Sequence, residues 1–141
     1  MNRRTSILLC SLMIVAFAGC AVQGRPFERV SAGPGDSVIY VYRPWHYGSS
    51  LLRPAVTCGD DTARIGPGGY HAFIVPAGSD QIACDVEGAE SDDRVEIDPH
   101  TRVYYIREEF VWGELSGHPH LNPVDNDRAN AEIASCCVQQ P

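Results

Sequence analysis

Between Asp36 and Trp112 the chain breaks into short runs of β-branched and aromatic residues, each closed by glycine, proline or aspartate. The turn signals recur about every 8 to 12 residues, the spacing of an all-β sandwich or barrel. The runs are "DSVIYVYRP" (36–44), "AVTCG" (55–59), "TARI" (62–65), "YHAFIVP" (70–76), "QIACDVE" (81–87), "RVEID" (94–98) and "RVYYIREEFVW" (102–112). Each reads as a strand, because β-branched and aromatic side chains suit a pleated, half-buried surface. In the first run apolar residues occupy both parities, which predicts a central strand covered on both faces.

Past Trp112 the period changes. "SGHPHLNPV" (116–124) is rich in glycine and proline and reads as a loop. "DNDRANAEIASCC" (125–137) offers Asp125 or Asn126 as N-cap, good helix formers, and Ala129, Ile133 and Cys136 or Cys137 on one side. A helix this short is marginal alone and must pack on the sheet. The expected fold is mainly β, an antiparallel β-sandwich-like domain with one short C-terminal helix.

The N-terminus gives an address. Arg3 and Arg4 precede a nearly uninterrupted apolar run, Ile7 to Ala18, and small residues lead up to Cys20. That order is the pattern of a secretory signal peptide, and the run falls short of the roughly 20 apolar residues of a spanning helix. "FAGC" (17–20) resembles the bacterial lipobox, with Phe17 in place of the usual aliphatic residue. The likeness implies that residues 1–19 are removed and that Cys20 carries lipid. Two acyl chains anchor stably where one binds reversibly. Ala21 rather than aspartate follows Cys20. By resemblance to lipoprotein sorting signals, that favours the outer membrane over the inner, with the domain facing the periplasm. "AVQGRPFERVSAGPG" (21–35), rich in glycine and proline without an apolar period, reads with Cys20 as a tether. The expected division is thus 1–19 signal peptide, 20–35 lipidated N-terminus and tether, and 36–141 folded domain.

The formal net charge of −7 falls to −9 once Arg3 and Arg4 leave with the signal, and the chain has no lysine. An acidic surface argues against nucleic acid, whose phosphates need a basic one. It argues equally against docking on anionic head groups. The expected partners are therefore the membrane, through lipid on Cys20, and an envelope protein or glycan.

Export places Cys58, Cys84, Cys136 and Cys137 in an oxidising compartment, where four cysteines allow three pairings. Cys58 and Cys84 both lie in extended segments and form the first choice of bridge. Cys136 and Cys137 form a vicinal bridge, or one of them pairs with Cys58 or Cys84 instead.

"VIYVYRP" (38–44), "VTCGDDTARIG" (56–66), "GGYHAFIVPAGSDQIAC" (68–84), "VYYIR" (103–107) and the small terminal helix follow the lipobox in that order. Over Asp36 to Cys136 the chain resembles the bacterial lipoproteins of domain-of-unknown-function family 2846. The resemblance implies a compact β-sandwich-like lipoprotein domain and no established activity.

Catalytic chemistry finds little purchase. There is no G-x-S-x-G elbow, and without lysine no S-x-x-K. "GPGG" (66–69) reads as a tight turn, since it lacks the lysine and following helix of a phosphate loop. "DNDRANAE" has Ala129 and Asn130 where a calcium loop needs an oxygen ligand and a glycine. His118 and His120, with Asp125 and Asp127 nearby, make the best metal candidate, although the two prolines account for the loop without one. Asp92, Asp93, Glu108 and Glu109 read as solvated surface. Trp45, His46 and Tyr47, between Pro44 and Pro54, either fold over one end of the sandwich or form a contact patch, since aromatics with a polar tip are enriched at recognition surfaces. The expected function is a non-enzymatic binding or structural module without a cofactor. The alternative is a metal-dependent or hydrolytic periplasmic enzyme built on His118 and His120.

Overall fold

The computed structural model describes residues 24–79, 81–90, 93–98, 100–113 and 117–140, with only the backbone of Tyr47. Residues 1–19, expected to be a signal peptide, and Cys20 and Asp92 lie outside the described residues.

The chain forms β1 (Arg25–Pro26), β2 (Ser37–Arg43), β3 (Ala55–Cys58), β4 (Asp61–Arg64), β5 (Gly69–Val75) and β6 (Ile82–Val86). Then come β7 (Val95–Ile97), β8 (Val103–Trp112), β9 (Gly117–Pro123), the helix α1 (Asn126–Cys136) and β10 (Val138–Gln139). A six-stranded sheet runs in the order β1-β10-β5-β2-β8-β9 and faces a four-stranded sheet ordered β4-β3-β6-β7. The smaller sheet is antiparallel throughout. The larger one is mixed, because β2 runs parallel to β8 and β10 parallel to β5.

β2 is the centre of the molecule. All seven of its residues are buried, and its two parities enter different cores. Ile39 and Val41 join Phe73, Ile106 and Leu121 against Val56, Ile82, Val86 and Ile97 of the smaller sheet. Val38, Tyr40 and Tyr42 face the other way, with Tyr70 and Tyr105, onto Ala129 and Ile133 of α1. The result is three layers: helix, large sheet, small sheet.

α1 begins at Asp125, whose side chain accepts a hydrogen bond from the Arg128 amide at 3.0 Å. It docks through Glu132, which accepts from the Tyr42 hydroxyl at 2.6 Å and from Arg128 Nε at 2.7 Å, with Arg107 Nη1 at 3.3 Å. Burial pushes the Glu132 carboxyl up, but these donors outweigh it and hold the group below its ordinary value.

The segment expected as a tether is packed from Gly24 onward. β1 pairs with β10, and Phe27 sets its ring edge-on to Tyr40 and Tyr70 at centroid distances of 5.4 and 5.3 Å. The Val30 amide donates to the Tyr40 hydroxyl at 2.7 Å. An 11-residue helix leaves part of this aromatic face open, and Phe27, Val30 and Ala32 cover it.

β9 occupies the stretch expected to be a loop, pairing with β8 from Ile106↔Pro123 to Trp112↔Gly117. Pro119 and Pro123 are tolerated because β9 is an edge strand and the two share a parity, so their nitrogens face the open side. Val124, of the other parity, donates to the Tyr105 carbonyl at 2.9 Å.

Cys58 and Cys84 are directly opposite on β3 and β6 and form a disulfide. A second disulfide joins Cys136 to Cys137. The first closes a separation of 26 residues, the second of one. Stabilisation by restricting the unfolded chain grows with the loop closed, so on that account the first is the cross-link that matters.

The "GPGG" turn is shaped by the C-terminus. The Gln140 side chain accepts from the Gly66 amide at 2.6 Å, and a Cβ on Gly69 would stand 2.3 Å from Gln140 Cδ. Gly68 takes φ +72, in the left-handed region that glycine adopts without penalty. The turn is filled by the protein's own side chain.

Candidate functional site

β8 is longer than its neighbour β2. Pairing between them ends at Tyr42↔Arg107, so Glu108 to Trp112 run on with β9 alone. Alternation keeps Ile106, Glu108, Phe110 and Trp112 on one face. Ile106 belongs to the inter-sheet core, and the residues above it reach the segment that links β2 to β3.

Arg43, the last residue of β2, fixes that segment. Its guanidinium donates to the carbonyls of Ser49 at 2.6 Å, Leu52 at 2.7 Å and Ile65 at 3.3 Å, and lies 4.7 Å from the Phe110 ring centroid, within cation–π range. Its Nη1 is 3.5 Å from Glu108 Oε1, close enough for ion pairing but too far for a good hydrogen bond. Glu108 is 1% exposed, and among the described residues neither of its carboxylate oxygens has a hydrogen-bond donor. Burial pushes its carboxyl up to about 7, with Arg43 pulling the other way. Burial likewise lowers Arg43, against the pull of Glu108. Desolvation outweighs the attraction at both ends of the pair.

Above the pair lies a cleft of about 340 Å³ lined by Pro44, Trp45, His46, Arg107, Glu109 and Phe110, with Glu108. Arg107 and Glu109 are in close ion-pair contact. Trp45 is 47% exposed. Phe110 and Trp112 rings stand 6.4 Å apart, and Trp112 packs over Gly48, where a Cβ would lie 3.2 Å from its ring. Leu51, Leu52 and Val111 are also exposed. Both tryptophans of the chain therefore sit at one end of the sandwich, beside a cleft with a buried carboxylate.

Trp45 and His46 are at the surface and line that cleft; the Tyr47 side chain lies outside the described residues. The Glu108–Glu109 pair, expected as solvated surface, corrects in part, since Glu108 shares the inward parity of Ile106 and Phe110. That alternation was present in "IREEFVW" and pointed to a buried carboxylate. Arg43 was hidden at the end of an apolar run, and Phe110 and Trp112 gave no signal beyond strand character.

His118 and His120 sit on β9, each with its own carboxylate. His118 Nε2 is 3.9 Å from Glu90, and His120 Nδ1 is in close contact with Asp93. Asp93 is thus engaged rather than solvated. Asp125 caps the helix instead of joining the histidines. Among the described residues no three His, Cys, Asp or Glu side chains converge as metal ligands, and no helix is long and apolar enough to cross a membrane.

No protein-family model, curated protein or solved structure matches this chain.

Proposed function

We propose that the chain is a lipid-anchored cell-envelope lipoprotein whose folded domain is a non-enzymatic binding module, acting through the aromatic end around Trp45 and Trp112. The observation that carries the reading is the grouping of aromatic rings at one end of the sandwich: exposed Trp45 lines the cleft with Phe110, and exposed Trp112 stands 6.4 Å from Phe110. Grouped exposed aromatics mark contact surfaces in a way that scattered ones do not. The anchor rests on the sequence of residues 1–20, which also supports the likeness to family 2846. An acidic chain without lysine needs lipid on Cys20 to stay at a membrane.

A photo-cross-linking residue placed at position 112 in the living envelope tests the reading. A discrete adduct is expected there and not from position 96, exposed on β7 at the opposite layer. Equal yields from both positions would sink it. Cys20→Ser is expected to move the protein into the soluble fraction.

A further inference from the structure

We propose that the Cys136–Cys137 disulfide is a thiol-exchange site, opened by an external dithiol, and that opening it loosens β10 and, with it, β1. It is a second site, apart from the aromatic end, and does not depend on the binding-module reading.

A bridge between neighbours in sequence does little as a cross-link. It closes a separation of one residue, against 26 for Cys58–Cys84, and restriction of the unfolded chain shrinks with the loop closed. Its effect is local. Cys136 is the last residue of α1, whereas Cys137, at φ −132 and ψ 147, is already extended. The small ring that joins them therefore spans the corner from helix to strand and restricts the backbone torsions on both sides of it.

The two bridges differ in access. Cys58 and Cys84 are 2% and 0% exposed in the inter-sheet core, whereas Cys136 is only partly buried. Exchange begins with attack of a thiolate on one sulfur, so access makes a disulfide labile. A thiolate of the dithiol attacks Cys136 Sγ, the bond to Cys137 breaks, and Cys137 leaves with the electron pair and takes up a proton. The second thiol of the pair then attacks the mixed disulfide and frees Cys136, which takes up a proton in turn. The dithiol ends as a disulfide, and its two electrons and two protons rest on Cys136 and Cys137.

The fold already provides for the reduced form. Cys137 Sγ lies 3.8 Å from the Arg43 carbonyl oxygen. A disulfide sulfur has no hydrogen to donate, but a thiol does. The carbonyl has a second lone pair to accept it, besides the one that serves the Gly68 amide at 2.8 Å. At 5% exposure, the Cys137 thiol is thus met by an acceptor in place.

β10 is two residues long and meets β5 at Val138↔Gly69 and Gln139↔Tyr70. The Val138 and Gln140 amides donate to the Gly68 and Tyr70 carbonyls, each at 3.0 Å. Freeing the torsions at residues 136 and 137 raises the conformational entropy lost whenever β10 docks. So short a strand is the element most sensitive to it. In the sheet β1 neighbours β10 alone, so the loosening passes to β1.

The test treats detergent-solubilised full-length protein with rising dithiothreitol, blocks free thiols with iodoacetamide and reads each cysteine by peptide mass spectrometry. Cys136 and Cys137 are expected to be alkylated at a concentration about tenfold or more below that needed for Cys58 and Cys84. At that point amide hydrogen exchange is expected to quicken on the order of tenfold at Val138 and Gln140 and over residues 24–27, and to hold steady across β2. The double variant Cys136→Ser, Cys137→Ser is expected to show the faster exchange without reductant and no further change with it. If that variant does not fold, the wild-type titration decides by itself. Reduction of Cys58–Cys84 first, or of both bridges together, overturns the exchange site. Selective reduction with exchange unchanged at Val138 and Gln140 overturns its coupling to β10.

Discussion

At the scale of single residues, Glu108 is where the fold works against itself. A carboxyl raised from 4.5 to about 7 keeps its proton in the folded protein at pH values where the unfolded chain has released it. Stability is therefore full below about pH 4.5 and declines as pH rises through 7. At 1.36 kcal/mol for each unit, the loss is on the order of 3 kcal/mol, and at 1% exposure solvent screens little of it. Glu108→Gln is expected to flatten this decline and to match or exceed the wild type at pH 8. Urea unfolding from pH 4.5 to 8 measures it, and a variant whose stability still falls as steeply would refute the assignment. The remaining Arg43 charge is not stranded in that variant, because three carbonyls hold it.

At the scale of elements, α1 shows how little a short helix owes to itself. Asp125 caps it, and Asp125→Ala is expected to cost about 1 kcal/mol. Ile133 is wholly buried against the aromatic face of the large sheet, and Ile133→Ala is expected to cost about 2–5 kcal/mol. If packing rather than local propensity holds the helix, chemical denaturation will rank the two in that order; a larger loss at Asp125 would reverse the account. The elements legible in the sequence were those whose periodicity is set by their own neighbours: β2 with both parities apolar, the β3–β4 hairpin, and α1 with its cap. β9 was not legible, because its prolines are harmless only on an edge strand, and edge position belongs to the sheet. The packed segment 24–35 was not legible either, since Phe27 and Val30 acquire meaning only beside Tyr40 and Tyr70. The site divides in the same way. Trp45 and His46 stood out as an aromatic cluster and Glu108 shared the inward parity of Ile106, whereas Arg43 acquires its role only from the three carbonyls that the fold brings to it.

At the scale of the whole molecule, the two ends of the large sheet have different roles. Gly69 pairs with Arg43 at the cleft end of β2, and β10 enters the sheet beside Gly69 and Tyr70. β1 is antiparallel to β10, so from Arg25 to Pro26 the chain climbs toward the cleft end, having entered from the direction of Ser37. Gly24 is the fourth residue after Cys20, a reach of at most about 14 Å. With lipid on Cys20, as proposed, the domain is held close to the bilayer by the edge that carries β1. The Trp112 tip ends β8, beside the far edge strand β9, and extends past the end of β2. Trp112 is then presented to the aqueous envelope rather than to lipid. In proteoliposomes of the lipidated Trp45→Phe variant, the emission of Trp112 is expected to be quenched by aqueous acrylamide and left intact by doxyl groups at head-group depth. Strong quenching by the doxyl lipid would place the tip in the membrane interface, where tryptophan is equally at home, and would overturn this orientation.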